Sequence, residues 1–246
     1  MKSRSFGPVT FVQTEHVNWS IYAGDDGTVL IDTGYAGQRE DLVRSLDSAG
    51  VAIEELSAVL ITHGHADHIG GARWLSSDYG IPVFSSEAEV PHLQRKYLQQ
   101  VGVRDIAWNI ARPGVLPWVA AIAPLLKDDA KTKVADARPV PLTPEGRARV
   151  PGLPLVVPLP GHTNGHTGYY FEAAQVLITG DALVTGHRTL PRTGPQLLPA
   201  MFHHDLPRAR QALQELPHLE YVTVLPGHGE AWSGSLDNLV GQAIAQ

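Results

Sequence analysis

Three copies of the tripeptide Val-Leu-Ile, at 29–31, 59–61 and 176–178, constrain this chain more than any other feature. Each runs straight into a short turn that carries an Asp or a His, reading VLIDTG, VLITHG and VLITGD. A short apolar run bounded by turn residues reads as a buried strand. Strands of this kind belong in sheets that are covered on at least one face, with helices outside. Charged or titratable side chains crowded at such a strand end need a reason.

The rest of the chain supplies the other layers. Strands are expected at 9–15, 17–24, 28–34, 58–62 and 81–86, with a tight turn at 25–27. Leu42, Val43 and Leu46 have helical spacing within 37–49, and Gly50 is a natural stop. A short helix follows over 70–80. Residues 87–135 differ: helical spacing, proline interruptions and two tryptophans, Trp108 and Trp118, predict two or three helices inserted between sheet elements. Such helices form either an extra core layer or a cap whose apolar side overlooks a site. Strands resume from about Arg138, a helix is expected over 206–216, and a last strand and loop over 220–230. The hairpins at 18–34 and 168–181 share one layout, which hints at two similar halves. No linker interrupts the chain, so residues 1–246 are expected to form one domain.

Composition removes several functions. Nineteen basic against 25 acidic side chains give a net charge of −6 with no basic run, so neither nucleic acid nor an anionic membrane is an expected partner. There are no cysteines, which excludes disulfides, thiolate metal sites and a cysteine nucleophile. The first residues carry no apolar stretch of signal-peptide length, and no segment approaches a membrane span; a cytoplasmic location is expected.

Four loops share one design, in which an apolar strand ends and a glycine turn presents a His or an Asp. They are His63-Gly64-His65-Ala66-Asp67-His68, Pro160-Gly161-His162-Thr163, Thr179-Gly180-Asp181 and Pro226-Gly227-His228-Gly229. In an extended segment residues i and i+2 point the same way, so His63 and His65 can grip one cation. The turn that follows swings Asp67 and His68 toward a second position, an arrangement better suited to two metals than to one. A lone histidine at a strand end is more often an ordinary surface or core residue than a ligand. Seven ordered residues in four loops reverse that expectation. Of the remaining histidines, His16, His92 and His218 read as ordinary, whereas His166, His187, His203 and His204 lie near the loops in sequence and are candidates for substrate contact.

HGHADH resembles the HxHxDH signature of the metallo-β-lactamase superfamily, and the other three loops follow in that family's order, with VLIDTG matching its first motif. The resemblance implies an α/β fold, an αββα sandwich, here with the helical insertion at about 87–135. It implies His63, His65 and His162 as ligands of a first metal, Asp67, His68 and His228 as ligands of a second, and Asp181 as the bridge. Asp32 matches the supporting aspartate that holds the loops without binding metal. Two divalent ions are expected; imidazole and carboxylate donors without thiolate favour zinc, with iron or manganese as alternatives.

A dinuclear centre with a bridging hydroxide would cleave an ester, lactone or thioester, with Asp67 as the catalytic group that orients the hydroxide. The insertion, with its tryptophans and leucines, would line an apolar pocket for a small-molecule substrate. Flavin-dependent diiron members of the family carry Glu where His65 stands, and metallo-β-lactamases usually lack the bridging Asp181. Glyoxalase II-like thioesterases have a longer C-terminal helical region than the 18 residues after His228. In many acyl-homoserine lactonases a substrate-binding Tyr stands where this chain has Val184. Amide or β-lactam cleavage is the alternative within hydrolysis, and a mononuclear iron dioxygenase acting on persulfides is the alternative outside it.

Overall fold

The computed structural model describes residues 1–126 and 132–245; residues 127–131 of the insertion, and residue 246, lie outside the described residues. Among the described residues the strands form two sheets. In the first, β1 (Lys2–Phe6), β2 (Val9–Gln13), β3 (Trp19–Gly24), β4 (Gly27–Ile31), β5 (Leu56–Leu60), β6 (Val83–Ser85) and β7 (Arg138–Pro139) lie side by side in that order. Pairing is antiparallel from β1 to β4 and parallel from β4 to β7. In the second, β8 (Leu155–Pro158), β9 (Thr167–Phe171), β10 (Val176–Gly180), β11 (Val222–Pro226) and β12 (Trp232–Gly234) are again in order. Only β10 and β11 run parallel there.

The Val-Leu-Ile repeats explain how the layers stack. Alternation along a strand sends neighbours to opposite faces. Val29 and Ile31 of β4, Ala58 and Leu60 of β5, and Val176 and Ile178 of β10 pack together between the sheets, with Phe11 and Tyr169. Leu30 and Val59 turn outward to Leu42 and Leu46 of α1 (Arg39–Ser48) and to Leu75 of α3 (Ala72–Tyr79), which follows the short α2 (Ala66–Ile69). Leu177 turns outward on the other side, to Leu213 of α7 (Leu206–Gln214) and Leu239 of α8 (Leu236–Ile244). An apolar residue at every position is therefore required, and the result is helix, sheet, sheet, helix. Truncating a repeat leucine such as Leu30 to Ala would cost roughly 2–5 kcal/mol, the usual range for a buried leucine.

The two halves share the expected layout. An antiparallel hairpin, β3–β4 or β9–β10, is followed by a parallel partner, β5 or β11. Parallel strands end at the same edge of a sheet, so Asp32 and His63 emerge together from the first half, and Asp181 and His228 from the second.

The insertion contains α4 (Val90–Leu93), α5 (Val103–Asn109) and α6 (Val115–Ile122). Its tryptophans do different things, which corrects the expectation that both line a pocket. Trp118 is 6% exposed and packs with Ile122, Tyr35, Val184 and Phe202, whereas Trp108 is 85% exposed on α5. Two further elements go beyond the sequence reading: the edge strand β1, whose side chains are mostly exposed, and the β12–α8 unit that closes the second sheet. No helix among the described residues is long and apolar enough to cross a membrane.

Candidate metal centre

Asp32, the His63–His68 loop, His162, Asp181 and His228 all come to one edge of the sandwich. One nitrogen or oxygen from each of His63, His65, His162 and Asp181 lies within 4.8 Å of the others, and the same holds for Asp67, His68, Asp181 and His228. Asp181 belongs to both groups. Its Oδ2 is 3.5 Å from His162 Nε2, 3.9 Å from His63 Nε2 and 3.2 Å from His228 Nε2, while Oδ1 is 3.4 Å from His68 Nε2. Asp67 Oδ2 lies 3.3 Å from His228 Nε2 and 3.8 Å from His68 Nε2.

The far side of most of these rings is held. The Thr62 hydroxyl donates to Asp32 Oδ2 at 2.8 Å, so its lone pair accepts from His63 Nδ1 at 3.0 Å. His68 Nδ1 donates to Asp32 Oδ2 at 2.8 Å, and His228 Nδ1 to the carbonyl of His16 at 2.7 Å. His65 is turned the other way, its Nε2 donating to the carbonyl of Gln99 at 2.5 Å, which leaves Nδ1 facing His162 Nε2 at 3.0 Å. With these outward bonds in place the inward nitrogen of His63 and His65 keeps a lone pair, and that of His68 and His228 offers one once its proton is displaced.

Those inward atoms test whether metal ions fit. His63 Nε2, His68 Nε2 and Asp181 Oδ1 are buried and have no hydrogen-bond partner. Buried polar atoms are normally satisfied, and leaving one bare costs about 1–3 kcal/mol. Three such atoms converging with four more donors suit cations, and an all-imidazole and carboxylate set suits zinc or iron. Space is reserved as well: a Cβ at Gly227 would lie 2.2 Å from Asp181 Oδ1 and 2.8 Å from His68 Cε1.

The two groups differ electrostatically. Burial pushes His63 and His162 well below the usual histidine range and His65 to about 4, so the three histidines of the first group are neutral at pH 7. In the second, burial also opposes charge on His68 and His228, but the surrounding carboxylates outweigh it: Asp181, Asp67 and Asp32 raise His68, and Asp181 with Asp67 lifts His228 to about 10. Burial would raise Asp67, yet His68 and His228 hold it below the ordinary carboxylate range. Without cations the second group is thus held by protons, which metal binding would displace.

A pocket opens onto Asp67, Asp181 and His228. Its walls include Tyr35, Val101, Ile106, Trp118, Leu198 and Phe202, three of them from the insertion, and no Lys or Arg among the described residues lines it. His187 also lines the pocket. His166 is buried beneath it and accepts the N–H of Asp181 at 3.1 Å; His203 packs on His162, and His204 is exposed. His218 pairs with Asp237 on the surface. His16 and His92, read as ordinary, both touch the cluster's support. So do two residues that the sequence reading passed over. Asn18 donates through Nδ2 to the carbonyls of Pro226 and Gly229, pinning the His228 loop, and Glu89 lies buried behind the histidine loops. The only sequence signal for the latter was the i, i+3 spacing of Glu89 and His92.

Known proteins give the same picture. A family model for the metallo-beta-lactamase superfamily matches residues 12–228. The probable metallo-hydrolase YybB of Bacillus subtilis is 34% identical over 181 residues, 70% of this chain and 64% of that protein, so the chain spans just under two thirds of that relative. The hydroxyacylglutathione hydrolase GloC of Haemophilus influenzae is 26% identical over 231 residues, 90% of this chain and 88% of that one. Among solved structures, the metallo-beta-lactamase family protein TTHA1429 of Thermus thermophilus has a TM-score of 0.64 at 22% identity, covering 96% of this chain and 77% of its own. TTHA1623 in a di-iron-bound form has a TM-score of 0.62 at 22% identity, covering 96% and 98%.

Proposed function

From the premise that the chain belongs to the metallo-beta-lactamase superfamily, we propose that it is a dinuclear metal-dependent hydrolase acting on an ester, lactone or thioester with an apolar acyl part. His63, His65 and His162 would hold one divalent ion, Asp67, His68 and His228 the other, and Asp181 both. The observation that carries this reading is Asp181, whose two oxygens face histidines of both groups within 4 Å. It also favours hydrolysis over a mononuclear iron oxygenase, because the second group is complete.

Two such ions supply Lewis acidity and lower the pKa of bound water to about 7, so a nucleophile is available at neutral pH. The protein's own share is orientation. Asp67 lines the pocket beside His228, 14% exposed at its side chain, and is the group placed to accept a proton from an attacking water. The apolar wall of Tyr35, Ile106, Trp118 and Phe202 would hold the acyl group.

The apolar wall of the pocket supports a substrate with an apolar acyl or ring part. Zinc is the favoured ion, with iron or manganese compatible with the donors.

Metal analysis of the purified protein, followed by an ester, lactone, thioester and β-lactam panel on the same sample, tests the reading. Two metals per chain with ester, lactone or thioester turnover is the expected result. Turnover that survives complete metal removal, or one iron per chain with oxygen uptake, would refute it.

A further inference from the structure

The segment that follows β6 holds a carboxylate that the proposed reaction does not use. Glu89 is 0% exposed, and a buried carboxylate is stable only where donors surround it. Four do. Oε1 accepts from the N–H of Gly64 and from His92 Nδ1, each at 2.7 Å. Oε2 accepts from the Thr163 hydroxyl at 2.9 Å and the N–H of Gly165 at 3.0 Å. Gly64 lies between His63 and His65, and Thr163 follows His162. Each oxygen therefore grips one of the two loops that present the three-histidine group.

His92 extends the grip to a ring. Because its Nδ1 donates to Glu89, its Nε2 keeps a lone pair, which accepts the N–H of Gln99 at 3.2 Å. The Gln99 carbonyl in turn accepts from His65 Nε2, which is what aims His65 Nδ1 at His162. The Gln99 side chain accepts the N–H of Asn164 at 2.9 Å, closing the loop on the His162 side. Contact is tight, since a Cβ at Gly64 would lie 2.7 Å from His92 Nδ1.

We infer that Glu89 and His92 are positioning residues for the ion of the three-histidine group, so that the first part of the insertion is a template for one half of the centre while α5 and α6 wall the pocket. The inference rests on the two-ion reading above. Its selectivity follows from the bonding: the ring reaches Gly64, His65, Thr163 and Gly165, but among the described residues it sends no hydrogen bond to Asp67, His68 or His228; His68 relies on Asp32 and His228 on the His16 carbonyl instead.

The test is zinc affinity of the metal-stripped full-length chain, measured by competition with a chromophoric chelator, for the wild type, Glu89→Gln and Thr163→Val. A glutamine at 89 turns an NH₂ toward one of the two donor pairs, so that one loop is released. Thr163→Val removes a single bond and guards against a failure to fold. We expect two zinc ions in the wild type and, in each variant, one site weakened, by about 10- to 100-fold for Glu89→Gln and less for Thr163→Val, with the other site unchanged. Wild-type affinities at both sites in the variants, or equal weakening of both sites in step with a lowered Tm, would overturn the inference and leave the two-ion reading intact. A wild type that binds fewer than two zinc ions would remove that reading and the inference with it.

Discussion

Asp32 Oδ2 accepts the Nδ1–H of His68 at 2.8 Å, while its Oδ1 accepts the backbone N–H of Thr62 at the same distance. One buried carboxylate thereby fixes the ring of a proposed ligand and Thr62, the second residue after β5, on which the whole His63–His68 loop hangs. It does so from a left-handed backbone, with φ of 61°, a conformation that Asp and Asn tolerate better than most residues.

That tolerance makes Asp32→Asn the informative change. The backbone is kept, but the amide cannot accept at every position the carboxylate does, and the negative charge opposite His68 is lost. Zinc affinity should fall about 10- to 100-fold with little change in secondary structure, as circular dichroism and chelator competition would show. Unchanged zinc binding would mean that Asp32 merely ties the turn.

Asp181→Ala separates bridging from folding. Alanine removes the one side chain common to both groups and frees His68 and His228 from the charge that raises them. Bound metal should drop from two ions per chain to one, and kcat by more than roughly 100-fold, beyond what outer supporting groups usually cost. Native-state mass spectrometry reads the occupancy; a fully active Asp181→Ala enzyme would be incompatible with a bridge.

The ligand loops were legible because their signal is local: a glycine turn at the end of an apolar run needs only the neighbouring residues to be recognised. The support behind them was not. Asn18 contacts the His228 loop from more than 200 positions away, and Glu89 meets Thr163 across the two sheets. Nothing in the surrounding residues of either reveals such a partner. Trp108 and Trp118 illustrate the same limit on packing, since both sit in helical, apolar stretches and only the fold decides that one is walled in and the other bare. The sandwich itself was readable for the opposite reason, because three Val-Leu-Ile runs require cover on both faces wherever their partners lie.

The two tryptophans supply a paired prediction. Trp118→Leu keeps an apolar filler but withdraws the ring that stands over the site between His187 and Phe202. KM for apolar acyl substrates should rise roughly tenfold, equivalent to about 1.4 kcal/mol, with metal content unchanged. Trp108→Ala should leave kcat and KM as they were. Equal effects of the two changes would argue that the insertion acts through stability alone.

Metal-stripped protein should be most stable near pH 6.5 and lose stability on both sides. His65 has its folded value depressed to about 4, so between roughly 6.5 and 4 the unfolded chain binds more protons, and stability falls as pH falls through that window. His166 and His187, at about 3, act in the same direction and extend the loss further into acid. His228 is the reverse case. Its folded value is raised to about 10, so its contribution is complete below 6.5 and is lost as pH rises toward 10. Bound metal would take the place of that proton, which predicts that loading zinc abolishes the alkaline limb and keeps the acid one, where the ligand histidines must be neutral to bind. Melting temperatures from pH 4 to 10, with and without zinc, decide the matter: an alkaline loss that persists unchanged in the zinc-loaded protein would show that His228 is not where the metal goes.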